Sequence, residues 1–145
     1  PIYEGTNGIQ AADLVTRKLG LEGGGVVQSL IADILAESAD EPQLRALAQD
    51  CASVASWMSE EAGLDDRLAG SVPFCTMLSV AVAGWQLAKQ AKAVAGGAAP
   101  ALAKTKPVTA RFFLDRMVPE AMGQRAAATG GAELLYSLSA DAFAV

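Results

Sequence analysis

Histidine is absent from all 145 residues. Without imidazole the chain has no ordinary base near neutral pH and no common zinc ligand, which excludes Ser-His-Asp, Cys-His and His-zinc sites built within it. Acid-base chemistry would fall to carboxylates, Lys, Tyr or Cys. Cysteine is scarce. Cys51 and Cys75 fit no metal-ligand spacing and each lies inside an apolar helical pattern, so both read as reduced core residues of a cytoplasmic protein. Clusters of Lys and Arg are missing too. With 11 basic against 16 acidic residues and a net charge of −5, no nucleic-acid footprint is expected. The chain does not open on a charged region followed by an apolar one, so no signal peptide is expected.

Long hydrophobic runs are also lacking. The nearest approach is GSVPFCTMLSVAVAGWQLA, residues 70–88, which has no charge over 19 residues. It is interrupted by Pro73, Thr76, Gly84 and Gln86, and its large side chains are spaced. It reads as the central helix of a folded core, with no membrane span expected.

What is present is a globular composition, 52% hydrophobic and 19% charged, with room for one ordinary core. The dominant period is helical. In GVVQSLIADILAES, the apolar residues Val26, Val27, Leu30, Ile31, Ile34 and Leu35 line one side of a helix over roughly 24–38. Leu44, Leu47, Cys51, Val54 and Met58 follow the 3-4 spacing of a bundle seam. Arg45, Asp50, Glu60 and Glu61 fall off that seam, and Pro42 suits the first helical turn.

The next helix is expected to start with Ser71 as its cap and Pro73 in its first turn. Phe74, Leu78, Ala81, Trp85 and Ala88 would form its inner face, and Lys89 and Lys92 would lie near its C-terminus. Residues 96–107, GGAAPALAKTKP, read as a long connection. Beyond it Ala110, Phe113, Leu114, Met117, Val118 and Ala121 form a stripe with Arg111 and Asp115 paired outside it, and Pro119 is expected to kink or break the helix. A C-terminal tail would dock Leu134, Leu135, Leu138 and Phe143 on the rest. No strand pattern competes and no internal repeat is visible. The fold class is all-α, an antiparallel bundle of about five helices.

Few residues suggest chemistry. GLEGGGVV, residues 20–27, matches neither phosphate-loop pattern and follows a helix instead of a strand, so its glycines are read as helix termination. Asp65, Asp66 and Arg67 read as solvated surface without a role. Trp57 and Trp85 read as core or helix-helix contacts.

The opening YEGTN reads two ways. Glu4 precedes a helix, where a carboxylate favours the positive end of the helix dipole, and Thr6 or Asn7 can cap that helix. Yet Gly5 allows a ligand close to the backbone, and Ile2 and Tyr3 can wall the carboxylate off from water, as a general base requires.

The stretch PIYEGTNGIQA resembles the signature near the end of the catalytic region of acyl-CoA dehydrogenases. Its Asn-Gly-Ile-Gln-Ala version resembles the long bacterial subfamily that includes 3-methylmercaptopropionyl-CoA dehydrogenase, which carries an additional helical domain. TARFFLDRMVPEA and GAELLYSLSADAF are similar in placement and pattern to that domain. The first 20 residues carry the specific likeness.

The resemblance implies that residues 1–22 end the catalytic region and residues 23–145 form a C-terminal accessory domain. It implies that Glu4 takes the α-proton of an acyl-CoA thioester while a hydride passes to FAD, that Tyr3 and Gly5 line the acyl pocket, and that Thr6, Asn7 and Gly8 approach the flavin. Many relatives carry Gln or Glu where this chain has Gly8, so only backbone contact is implied there. An acyl-CoA substrate, an electron acceptor and a homo-oligomer are the implied partners. The catalytic region needs more chain than lies before Pro1, so these 145 residues are expected to be a C-terminal fragment that is inactive alone. A structural or oligomerisation bundle without catalysis of its own is the alternative.

Overall fold

The computed structural model describes residues 6–144. Among them the regular structure is helical, with no strand. The α-helices are α1 (Thr6–Thr16), α2 (Gly25–Glu37), α3 (Pro42–Glu60), α4 (Leu64–Ala69), α5 (Ser71–Ala95), α6 (Lys106–Phe112), α7 (Val118–Met122) and α8 (Arg125–Ala128). The π-helical turn Phe113–Met117 joins α6 to α7 in one rod, so five long rods carry the bundle and α4 and α8 are single-turn pieces.

Helix α5 is the axle, touching each of the other α-helices. Its start lies beside the end of α3, where Gly70 meets Met58, and its middle lies beside the start of α3, where Gly84 meets Leu44. The two therefore run antiparallel. The α6–α7 rod and α8 return along both: Leu114 and Val118 meet Gly84, and Ala128 of α8 meets Gly70. Where α5 crosses Leu44, Leu114 and Val118, the absence of a side chain at Gly84 lets the rods approach.

The α3 seam expected from spacing is the centre of the core: Leu44, Leu47, Cys51, Val54 and Met58 are all fully buried. The leucine, valine and methionine side chains among them each contribute about 1.5–3 kcal/mol when fully buried. Phe74, Leu78, Ala81 and Ala88 join them from α5, and Leu114, Val118 and Ala121 from the returning rod. Of α2, Val27, Ile31 and Ile34 are buried while Val26 is exposed. Ala11 and Val15 of α1, with Leu19 just beyond it, are buried as well, and Val15 and Leu19 join the same cluster, so residues on both sides of position 22 share one core.

Several local expectations are corrected. Ser71 does not cap α5. Gly70 is already in helical conformation, with φ −83° and ψ −2°, so α4 leads straight into α5 and the Ser71 hydroxyl donates back to the Leu68 carbonyl at 2.7 Å. At Pro119 the rod continues instead of ending, but its α-helical pattern is interrupted just before it, by the π turn Phe113–Met117. The Val118 N–H bonds to the Phe113 carbonyl, five residues back, and this wide turn absorbs the distortion next to a residue that has no N–H to give.

Trp85 is half-buried instead of core. Its Nε1 donates to Glu37 at 2.9 Å, and Lys89 sits 4.5 Å over its ring while pairing with the same carboxylate at 2.8 Å. Lys89 and then Trp85 hold the Glu37 carboxyl below its usual range. The contact ties α2 to α5, as a helix-helix role requires.

The tail does not dock. Leu134 is 86% exposed and Leu135, Leu138 and Phe143 are 60–71% exposed. Ala128 and Ala132 already close that end of the bundle, and residues 133–136 and 140–143 form single 3₁₀ turns, too short to gather apolar side chains onto one face. Leu134→Ser with Leu138→Ser should therefore change unfolding stability by less than about 0.5 kcal/mol. A large drop in the urea midpoint would show that the tail is packed in solution.

Candidate functional site

Tyr3, Glu4 and Gly5 lie outside the described residues. The next three residues are placed. Thr6, Asn7 and Gly8 form the first described turn of α1, with Thr6 half-buried and Asn7 and Gly8 exposed. Thr6 and Asn7 are already helical, which corrects their reading as caps. A Cβ added at Gly8 would meet no atom within 4 Å.

This turn is held by the rest of α1. Ala11 and Val15 anchor one side in the core. On the outer side Arg17 Nε approaches Asp13 at 2.7 Å and Lys18 Nζ approaches it at 3.0 Å, and Lys18 also donates to Gln10 Oε1 at 3.2 Å. The hydrogen bonds from Arg17 and then Lys18 lower the Asp13 carboxyl to about 2. The pair thus persists well below neutral pH, and its contribution is lost only as pH falls through that low value.

The segment after α1 reverses the chain. Glu22, Gly23 and Gly24 have φ of 51°, 66° and 91° in succession, a left-handed run that favours glycine and turns α1 toward α2. The glycines of residues 20–27 thus serve the turn. They also divide residues 6–37 into two helices, each shorter than a membrane span.

Asp66 is corrected from solvated surface to a structural tie. Its Oδ1 accepts from the Ala132 N–H at 2.8 Å and its Oδ2 from the Gly63 N–H at 3.3 Å, holding the start of α4 to the residues beyond α8. Cys75 is corrected too. Cys51 is buried, and burial with the neighbouring Asp50 carboxylate pushes its thiol up to about 12, whereas Cys75 is only half-buried. Among the described residues no group of three His, Cys, Asp or Glu is placed to hold a metal.

Two open features accompany this turn. Asn7, Gln10 and Ala11 form a groove with Val72, Cys75 and Thr76 of α5. A separate groove of about 320 Å³ lies between α2 and α3, lined by Val27, Ile31, Leu35, Ala52 and Ala55 among others. It is largely aliphatic, with Glu60 at one end, and has no pair of titratable groups that would make it an acid-base site. The sequence reading missed the first groove, whose signal was the uncharged run of residues 70–88.

The described residues do not build a flavin site. Of Thr6–Gly8, Asn7 and Gly8 are exposed, and a Cβ at Gly8 would meet no atom within 4 Å, so what these residues offer a cofactor is exposed backbone and the Asn7 amide.

Comparison with known proteins adds what the geometry lacks. The family described as acetyl-CoA dehydrogenase C-terminal like matches residues 26–139. The 3-methylmercaptopropionyl-CoA dehydrogenase of Ruegeria pomeroyi is 32% identical over 160 aligned positions, covering 96% of this chain and 26% of that protein. The chain thus spans about a quarter of the length of this curated relative. No solved structure matches it.

Proposed function

The chain belongs to the acetyl-CoA dehydrogenase C-terminal-like family, and we propose that it is the C-terminal part of an FAD-dependent acyl-CoA dehydrogenase acting on an acyl-CoA thioester. The observation that carries this reading is the likeness to a dehydrogenase over 96% of the chain. FAD, when bound to the whole enzyme, supplies the hydride acceptor.

In this reading the chain contributes a base and its mount. Glu4 removes the α-proton of the thioester. That proton is weakly acidic, so the carboxylate must sit in an apolar, water-poor setting that raises its proton affinity. Ile2, Tyr3 and Gly5 are the neighbours that provide it, with Tyr3 and Gly5 against the acyl group. Thr6, Asn7 and Gly8 lie toward the flavin and start α1, which Ala11 and Val15 anchor in the bundle. Residues 23–145 act as an accessory helical domain, supporting the site and contributing to subunit contact in a homo-oligomer. An electron acceptor then meets surface outside this chain.

Two preparations test the proposal. A longer polypeptide, in which a dehydrogenase body precedes this chain, should bind flavin and show its reduction by acyl-CoA. The isolated 145 residues should purify colourless and inactive. Near-stoichiometric flavin absorbance in the isolated chain would sink the claim that the site is shared with the body. A longer polypeptide that neither binds flavin nor oxidises any acyl-CoA would sink the dehydrogenase reading itself.

A further inference from the structure

Helix α5 has a second face that the bundle leaves open. Between Gly70 and Ala88 there is no charged residue, yet Val72, Thr76, Ser79 and Gln86 are exposed. Solvent-facing positions of a surface helix ordinarily carry charge, and in this chain 19% of residues are charged. An open helix face with none is the pattern of a surface that another element covers.

That face and α1 form a trough. Its first half is the groove beside Asn7. Its second half, about 480 Å³, is lined by Leu14, Leu30, Leu78 and Val82 among others. Gln10, Cys75 and Ser79 line both halves, so the two are continuous. The α5 wall carries Cys75, Ser79 and Ala83, small side chains at successive turns, which let a second helix approach to about 8–10 Å between axes.

The trough's position selects its occupant. Its α1 wall starts at Asn7, three residues after Glu4 in the sequence, so whatever fills it stands beside the described start of α1. The curated relative has most of its length outside the region this chain matches, enough to supply the missing helix. Lys18 at the far end and the polar Gln10, Thr76 and Ser79 argue against lipid as the cover. We propose that the α1–α5 trough seats a helix of the dehydrogenase body in the same polypeptide; this rests on the function proposed above. The seat would hold Glu4 in register with the body's substrate pocket while the rest of the bundle projects outward.

Cys75 reports on the seat because it lines both halves, and buried Cys51 serves as the internal control. Native alkylation with iodoacetamide, read by peptide mass mapping, should modify Cys75 readily in the 145-residue chain and at least tenfold more slowly in the longer polypeptide. Ser79→Lys should restore that labelling in the longer polypeptide. Because Ser79 is exposed, the same change should leave the melting midpoint of the 145-residue chain unaltered. Equal Cys75 labelling in both preparations, with flavin bound and reducible, overturns the seat and leaves the dehydrogenase reading intact. Protection that fades on dilution assigns the trough to a second copy and also overturns it, as does protection that Ser79→Lys leaves unchanged.

Discussion

Gly70→Ala should destabilise the 145-residue chain by about 3 kcal/mol, at the upper end of the usual cost of overpacking a core. Gly70 has a helical φ of −83°, so its backbone would accept alanine. The obstacle is space. A Cβ there would overlap the carbonyl oxygen of Ala128, lie 3.0 Å from the Ala128 carbonyl carbon and 2.9 Å from Met58 Cε. The methionine can move, but the Ala128 carbonyl is backbone and cannot rotate away. Relief requires α8 to lift from α5, which opens the end of the core that Met58 and Ala128 close. A chain of this size should lose roughly 10 °C of melting temperature.

Gly8→Ala is the control. It meets nothing within 4 Å and sits inside α1, so it should gain about 0.5–1 kcal/mol from the higher helix propensity of alanine. Urea melts of the two variants should move in opposite directions. An unchanged midpoint for Gly70→Ala would show that α8 does not pack as described.

In the longer polypeptide, Glu4→Gln should lower dehydrogenation by about 10²–10⁴-fold, the usual contribution of a positioned general base. Glutamine keeps the shape and hydrogen-bonding reach of glutamate but cannot accept the α-proton. Folding, flavin content and acyl-CoA binding should therefore persist. The decisive readout is exchange of the substrate's α-protons in deuterated water, which needs the base and no hydride transfer. Exchange should vanish with Glu4→Gln. If exchange and turnover both survive, Glu4 is a helix-start residue only and the base lies elsewhere.

Periodicity made the α3 seam legible because every seam position, from Leu44 to Met58, repeats the helical spacing and ends fully buried. The same argument failed for the tail. Leu134, Leu135 and Leu138 repeat that spacing equally well, but a short segment gains a helix only if a core face is waiting for it, and Ala128 and Ala132 had already filled that place. Asp66 was illegible for a related reason: its partner, the Ala132 N–H, is 66 positions away. Cys51 and Cys75 looked alike, each within an apolar helical pattern, and differ only because Cys51 lies in the α3 seam at the centre of the core while Cys75 lines a trough.

The candidate site shows the same division. Composition alone removed histidine chemistry, and the YEGTN stretch by itself offered a carboxylate next to a glycine ahead of a helix. Local spacing determined the helices, because hydrogen bonding and apolar period within a helix are local properties of the chain. Only the tertiary structure decided which glycine is indispensable, which face of α5 stays open, and that α1 shares its core with the residues after position 22. Those outcomes depend on contacts between Gly70 and Ala128, Gly84 and Leu44, and α1 and α5, distances that exist only once the rods have packed.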